Sequence, residues 1–145
     1  MALNLWSAAG PDPRERAVIS QGWRFTIDVE DIGEKEQWYR TGFDSAGWSK
    51  VVVPKAWDLY EEGLWGYEGV SWYTVTLDGA LARSGKLQTL RFGRAMYHTK
   101  AWLNGESLGE NIGGYLPFEF DVTGKLKAGQ ANVLMLRVDN KPRLR

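Results

Sequence analysis

Apolar and polar residues alternate along this chain in short runs, and glycine, proline or asparagine turns separate the runs. Phe25, Ile27 and Val29 alternate with Arg24, Thr26 and Asp28, so Trp23 to Val29 reads as a strand with one apolar face. The same period of two recurs from Ser71 to Asp78, with Tyr73, Val75 and Leu77 on one face and Trp72, Thr74 and Thr76 on the other. It recurs again over Leu87 to Phe92, Met96 to Leu103, Phe118 to Val122 and Asn132 to Asp139, the last with Leu134, Leu136 and Val138 facing inward. Lys50 to Val53 is a shorter strand, ended by Pro54. No stretch holds a helical period over three turns. Single helical turns are expected at Ala80 to Arg83 and within Asp31 to Gly47. Roughly eight or nine short strands without a long helix specify an all-β sandwich.

The connections sharpen this outline. Asn104-Gly105 is a strong hairpin signal, because both central residues of a type I′ turn need positive φ. One strand enters it through Ala101 and Leu103, and the return strand is expected over Glu106 to Leu108, released at Gly109. Pro117 fixes the start of the strand from Phe118, and Thr123 reads as a turn or cap residue. Met1 to Arg16 holds Pro11 and Pro13 and no clear period, so residues 1–16 read as a loose leader, with Trp6 docking on the domain, and residues 17–145 as one sandwich. Asp31 to Gly47 is a polar connection carrying Trp38, Tyr39 and Phe43, and Lys55 to Gly69 is a long irregular loop.

At 145 residues the chain can bury a core of its own. Its eight Trp and 17 Gly suit short strands, tight turns and aromatic packing. Without cysteine there is neither a disulfide framework nor a thiolate metal site. The 18 basic residues balance the 18 acidic ones and form no stripe, which argues against a nucleic-acid partner. No apolar run is long enough to span a membrane as a helix, so no membrane partner is expected. The N-terminus lacks a signal-peptide pattern, which favours a cytoplasmic location.

Trp102-Leu103-Asn104-Gly105, followed by the run from Gly113-Gly114-Tyr115 to Thr123, resembles the N-terminal domain of family 2 glycoside hydrolases, nearest the β-glucuronidase and β-galactosidase type. Further blocks follow in the family's order: Gly22-Trp23-Arg24-Phe25, Val53-Pro54 with Trp57, Gly66-Tyr67-Glu68-Gly69 with Trp72-Tyr73, and Leu134 to Asn140. The resemblance implies a galactose-binding-like jelly-roll sandwich. It also implies a non-catalytic role, since the family's acid/base and nucleophile glutamates lie in a C-terminal (β/α)8 barrel that nothing here resembles. The substrate-contacting segment and final strand of such domains are expected downstream of Arg145. Where the family has a His and an acidic residue before Gly-Gly-Tyr, this chain has Asn111 and Ile112, a departure bearing on how that loop meets a partner domain.

The residues themselves offer little catalytic chemistry. A glycosidase needs two carboxylates across the scissile bond. Glu119 and Asp121 lie two apart on one strand, about 6.5–7 Å along the chain, and point the same way. They read as exposed or turn-capping residues, and Glu61-Glu62 as a solvated acidic patch. His98, the single histidine, has no neighbour in sequence suited to a metal site or a nucleophile and reads as structural. No cofactor is expected. Trp57, Trp65, Tyr67 and Tyr115 sit on loops, where rings either stack on the C–H faces of sugars or close the ends of the sandwich.

Three functions fit these features: a domain that braces a glycosidase barrel and shapes its active-site rim, a free carbohydrate-binding module using the loop aromatics, and a structural or self-associating module. A missing final strand would leave its neighbour unpaired, and near-zero net charge offers little repulsion, so a homo-oligomer is expected.

Overall fold

The computed structural model describes residues 3–8, 15–53, 67–93, 97–113 and 116–141. Ten strands alternate through it: β1 (Leu3–Ala8), β2 (Glu15–Val18), β3 (Trp23–Asp28), β4 (Ser49–Val51), β5 (Val70–Leu77), β6 (Leu87–Phe92), β7 (His98–Leu103), β8 (Glu106–Ile112), β9 (Phe118–Asp121) and β10 (Asn132–Asp139). A 3-10 turn, Gly79–Leu81, stands where the short helical turn was expected, capped by the Asp78 side chain on the Ala80 amide. The strands form two antiparallel sheets, one in the order β2-β1-β6-β9 and one in the order β4-β3-β5-β10-β7-β8. The fold is the expected all-β sandwich.

Period-two patterning explains the core. Phe25, Tyr73, Val75, Leu134, Leu136, Val138, Ala101 and Leu103 from the larger sheet meet Leu3, Leu5, Leu90, Phe92 and Phe120 from the smaller one. Each fully buried side chain of this size contributes about 1.5–3 kcal/mol relative to exposure. Phe92, Phe118 and Phe120 interlock through one stacked and two edge-on contacts, which favours both area burial and ring electrostatics.

The leader departs from its expectation. Leu3–Ala8 is a strand, paired residue for residue from Leu3↔Phe92 to Ala8↔Leu87, and Glu15–Val18 adds an edge strand beyond it. Leu3 and Leu5 are buried, and that burial offsets the cost of ordering the segment. Pro11 and Pro13 lie outside the described residues.

The hairpin forms at Asn104 (φ 52°) and Gly105 (φ 82°), as the type I′ reading requires. Its return strand does not stop at Gly109. The register shifts between Ala101↔Gly109 and Trp102↔Ser107, leaving Leu108 as the extra residue of a β-bulge, and pairing resumes to Ile112.

The outer face of the larger sheet is covered as well. Trp38, Tyr39, Phe43 and Trp48, from the connection between β3 and β4, pack on Val70, Trp72, Trp102 and Met135. Tyr39 stacks on Trp102 at 4.6 Å, and Trp102 stacks on Trp72 at 5.5 Å. The connection makes turns and no helix; it works as a strap.

Candidate functional site

One end of the larger sheet carries the described flanks of several connections. The registers align Asp28, Val70, Asp139, His98 and Ile112 as a single row across β3, β5, β10, β7 and β8. The described flanks before β5 (Tyr67), before β7 (Tyr97), after β8 (Gly113) and after β10 (Asn140) adjoin this row. Backbone and amide bonds tie their flanks together. Asn140 donates its N–H to Gly69 O, accepts from Gly69 N at 2.7 Å and donates through its side chain to Tyr67 O at 2.9 Å. Tyr97 N donates to Asp139 O, and Gly113 N donates to Tyr97 O.

Of the loop aromatics expected to meet sugar or to close the sandwich, Tyr67 lies in this seam. It is half-buried, and its hydroxyl donates to Val70 O at 2.9 Å. Burial, followed by the nearby charge of Asp28, raises its pKa above the ordinary phenol value, against the lowering effect of the Val70 bond. The phenol is therefore a neutral donor throughout the physiological range. Trp57, Trp65 and Tyr115 lie outside the described residues, as do Glu61 and Glu62. Their loops leave or enter at Val53, Tyr67, Gly113 and Leu116.

Charged side chains continue the site inward on the same face. The second row aligns Trp72, Arg137, Lys100 and Glu110. The strap closes over it: Arg137 makes a bidentate pair with Asp31 at 2.8 Å, and Lys100 pairs with Glu34 at 2.8 Å. Asp28 is buried and its carboxylate accepts from Ile32 N, Gly33 N and the Trp72 indole. Sequence spacing gave His98 no partner, but the fold supplies Glu110 on β8 as a partner for its Nε2. The strap's acids and rings were missed because their partners lie far away in sequence; the signal was the density of Trp38, Tyr39, Phe43 and Trp48 in a nominal loop.

The carboxylates of β9 serve structure. Glu119 pairs with Arg91 at 3.5 Å, and Asp121 caps Thr123 N at 2.9 Å. Hydrogen bonds from the Thr123 side chain and backbone hold the Asp121 carboxyl below its usual range. Among the described residues, no group of three or more acidic or histidine side chains is arranged to hold a metal ion. A groove of about 430 Å3 lies elsewhere, at the edge formed by Gln21 to Arg24 and Lys50 to Val52. Its aromatic residue, Trp23, is 1% exposed and offers no stacking platform there.

No protein-family model matches the chain. The chain is 32% identical over 140 residues to a β-galactosidase of Bacteroides ovatus, covering 88% of this chain and 16% of that enzyme. It is 30% identical over 129 residues to a β-glucuronidase of Paenibacillus borealis, covering 88% of this chain and 21% of that one. The solved β-glucuronidase of Ruminococcus gnavus superposes with a TM-score of 0.74 at 26% identity, over 86% of this chain and 21% of that one. The chain thus spans about a fifth or less of the length of these relatives.

Proposed function

We propose, from the premise that this chain corresponds to part of the family 2 glycoside hydrolases, that it is their N-terminal non-catalytic sandwich domain, bracing a catalytic barrel and shaping its active-site rim. The coverage carries the reading: 88% of this chain aligns with only 16% of the Bacteroides ovatus β-galactosidase, one domain's worth of a larger enzyme. The chemistry of the described carboxylates supports it. Hydrolysis of a glycosidic bond needs two carboxyl groups facing each other across the sugar. Glu119 and Asp121 share one face of β9 and are engaged with Arg91 and Thr123.

Two measurements test this. Purified chain, free of host glycosidases, is expected to hydrolyse nitrophenyl β-glucuronide, β-galactoside and β-mannoside no faster than buffer; turnover above that blank refutes the non-catalytic assignment. Grafting the chain in place of the matched segment of the Bacteroides ovatus enzyme is expected to restore activity lost on deleting that segment. A graft that folds but stays as inactive as the deletion refutes the bracing role.

A second reading is favoured by one observation: Tyr67, one of the four loop aromatics Trp57, Trp65, Tyr67 and Tyr115, lies beside the end row of the larger sheet, bonded to Val70 and Asn140. In that reading these rings hold a carbohydrate directly. Titration with glucuronate, galactose, mannose and their oligomers, followed by tryptophan fluorescence, separates the readings; no spectral change up to millimolar sugar removes the second.

A further inference from the structure

The Asn104-Gly105 turn is the one asparagine-glycine step in the chain. Such a step is chemically labile, because glycine has no side chain to hinder its own amide nitrogen from attacking the preceding asparagine's side-chain carbonyl carbon. That attack forms a succinimide ring and releases ammonia. Water then opens the ring, giving aspartate or its β-linked isomer. No oxidant, reductant or cofactor is involved.

The fold holds Asn104 away from this reaction. Its Oδ1 accepts from Val133 N at 2.9 Å, and its Nδ2 donates to Asn132 Oδ1 at 2.9 Å. Its own N–H donates to Val133 O at 2.8 Å, and its carbonyl accepts from the Thr41 hydroxyl at 3.0 Å. Both ends of the side-chain amide are therefore directed at β10. Asn132 is itself fully buried and fully engaged: its Oδ1 also accepts from Lys127 N, and its Nδ2 donates to Lys127 O and Gln130 O. The acceptor that anchors Asn104 is thus held rigidly in place.

We infer that Asn104 is a latent deamidation site, shielded by the Asn132–Val133 anchor and converted only when the hairpin detaches from β10. Conversion is one-way in its effect. An aspartate at 104 has no donor for Asn132 Oδ1 and sets two acceptors against each other. The β-linked isomer adds a backbone atom to a two-residue turn whose geometry fixes the strand register. Each opening that ends in deamidation therefore yields a chain whose hairpin re-anchors to β10 without the Asn132 bond, and so more weakly.

The test is peptide mapping by mass spectrometry of the whole chain, held at mildly alkaline pH and constant temperature, folded or unfolded in urea. Deamidation at Asn104 is expected at least about tenfold slower in the folded chain, since the rate follows the population of the open hairpin. Equal rates overturn the shield. Asn132→Ser removes the anchor for Nδ2 and is expected to raise the folded-state rate several-fold when circular dichroism shows the variant still folded; an unchanged rate in that folded variant overturns the role of Asn132. Should Asn132→Ser not fold, Asn104→Asp reads the other half: it is expected to melt below the parent, and a melt equal to the parent's overturns the claim that the product re-anchors more weakly.

Discussion

The Trp72 indole N–H donates to a carboxylate oxygen of Asp28 across 2.9 Å, in a place where both side chains are buried. That one bond joins β3 to β5 on the outer face of the larger sheet. The same carboxylate accepts from the amides of Ile32 and Gly33 at 3.0 and 2.8 Å, so it also starts the strap on its path over the aromatic cluster. A buried charge is expensive unless hydrogen bonds replace its hydration. Here three N–H donors do so.

Asp28→Ala is therefore expected to cost far more than an ordinary surface truncation. It leaves two amides and an indole N–H without their acceptor, at about 1–3 kcal/mol for each group that water cannot reach. Urea unfolding should show a loss of at least about 2 kcal/mol with the slope retained. A loss under about 0.5 kcal/mol would mean that water replaces the carboxylate and that the strap does not depend on it.

Gly33 tests the same strap by volume. A Cβ built there would stand 2.6 Å from ring atoms of both Trp38 and Trp72. Neither ring can retreat freely, because Trp38 stacks on Phe43 and Trp72 stacks on Trp102. Gly33→Ala should cost about 1–3 kcal/mol, as overpacking does, and weaken the near-ultraviolet circular dichroism of the tryptophans. An unaltered spectrum and melt would show that the strap can shift without consequence.

Gly105 fails for a different reason. It sits at φ 82°, and an added Cβ would come within 3.1 Å of the Thr41 hydroxyl. An L side chain in the left-handed region costs about 1–2 kcal/mol, which exceeds any gain from a stiffer unfolded chain. Gly105→Ala should melt below the parent; a melt at or above it would contradict the turn geometry.

Local pattern made most of this fold legible, and distance in sequence hid the rest. Val75 and Leu136 could be placed in the core because each alternates with a residue on the other face, and the turn at Asn104-Gly105 could be typed from two residues. The strand at Leu3–Ala8 was not legible. Its pattern is short, and its partner Leu87–Phe92 lies some 80 residues on. The strap was missed likewise: Asp31 meets Arg137 across 106 residues, and Glu34 meets Lys100 across 66. Period two says only that Trp72 and Trp102 face away from the core; it does not say that something else covers them. At the candidate site, Tyr67 could be singled out as a loop aromatic, but its bonds to Val70 and Asn140 depend on the end row, which only the strand order creates.

Tyr67 gives stability a pH dependence at the alkaline end. Burial raises its pKa in the folded chain above the unfolded value near 10. The folded state then holds its proton more tightly, so the contribution is complete below pH 10 and is lost as pH rises through the folded value. Unfolding free energies from pH 8 to 11 should fall more steeply for the parent than for Tyr67→Phe. Parallel curves would show that the phenol titrates alike in both states.

The strand Leu3–Ala8 gives the most direct test of the architecture. It lies between β2 and β6, paired to both, and buries Leu3 and Leu5 against the core. Deleting residues 1–8 removes the pairing partners of four residues of β2 and six of β6, and it opens the space under Leu90 and Phe92, which are fully buried in the intact chain. A strand edge with free amide and carbonyl groups beside exposed apolar side chains is a template for pairing with a second chain. The balance of 18 basic and 18 acidic residues provides no net repulsion against that encounter. The truncated chain should therefore show a mass in light scattering that climbs with concentration, above that of the intact chain at equal concentration. Its melt should also fall by several degrees, since losing buried leucines costs about 2–5 kcal/mol each. Equal masses and equal melts for the two chains would mean that β1 contributes neither an edge cover nor core packing, and the four-stranded sheet would have to be redrawn without it.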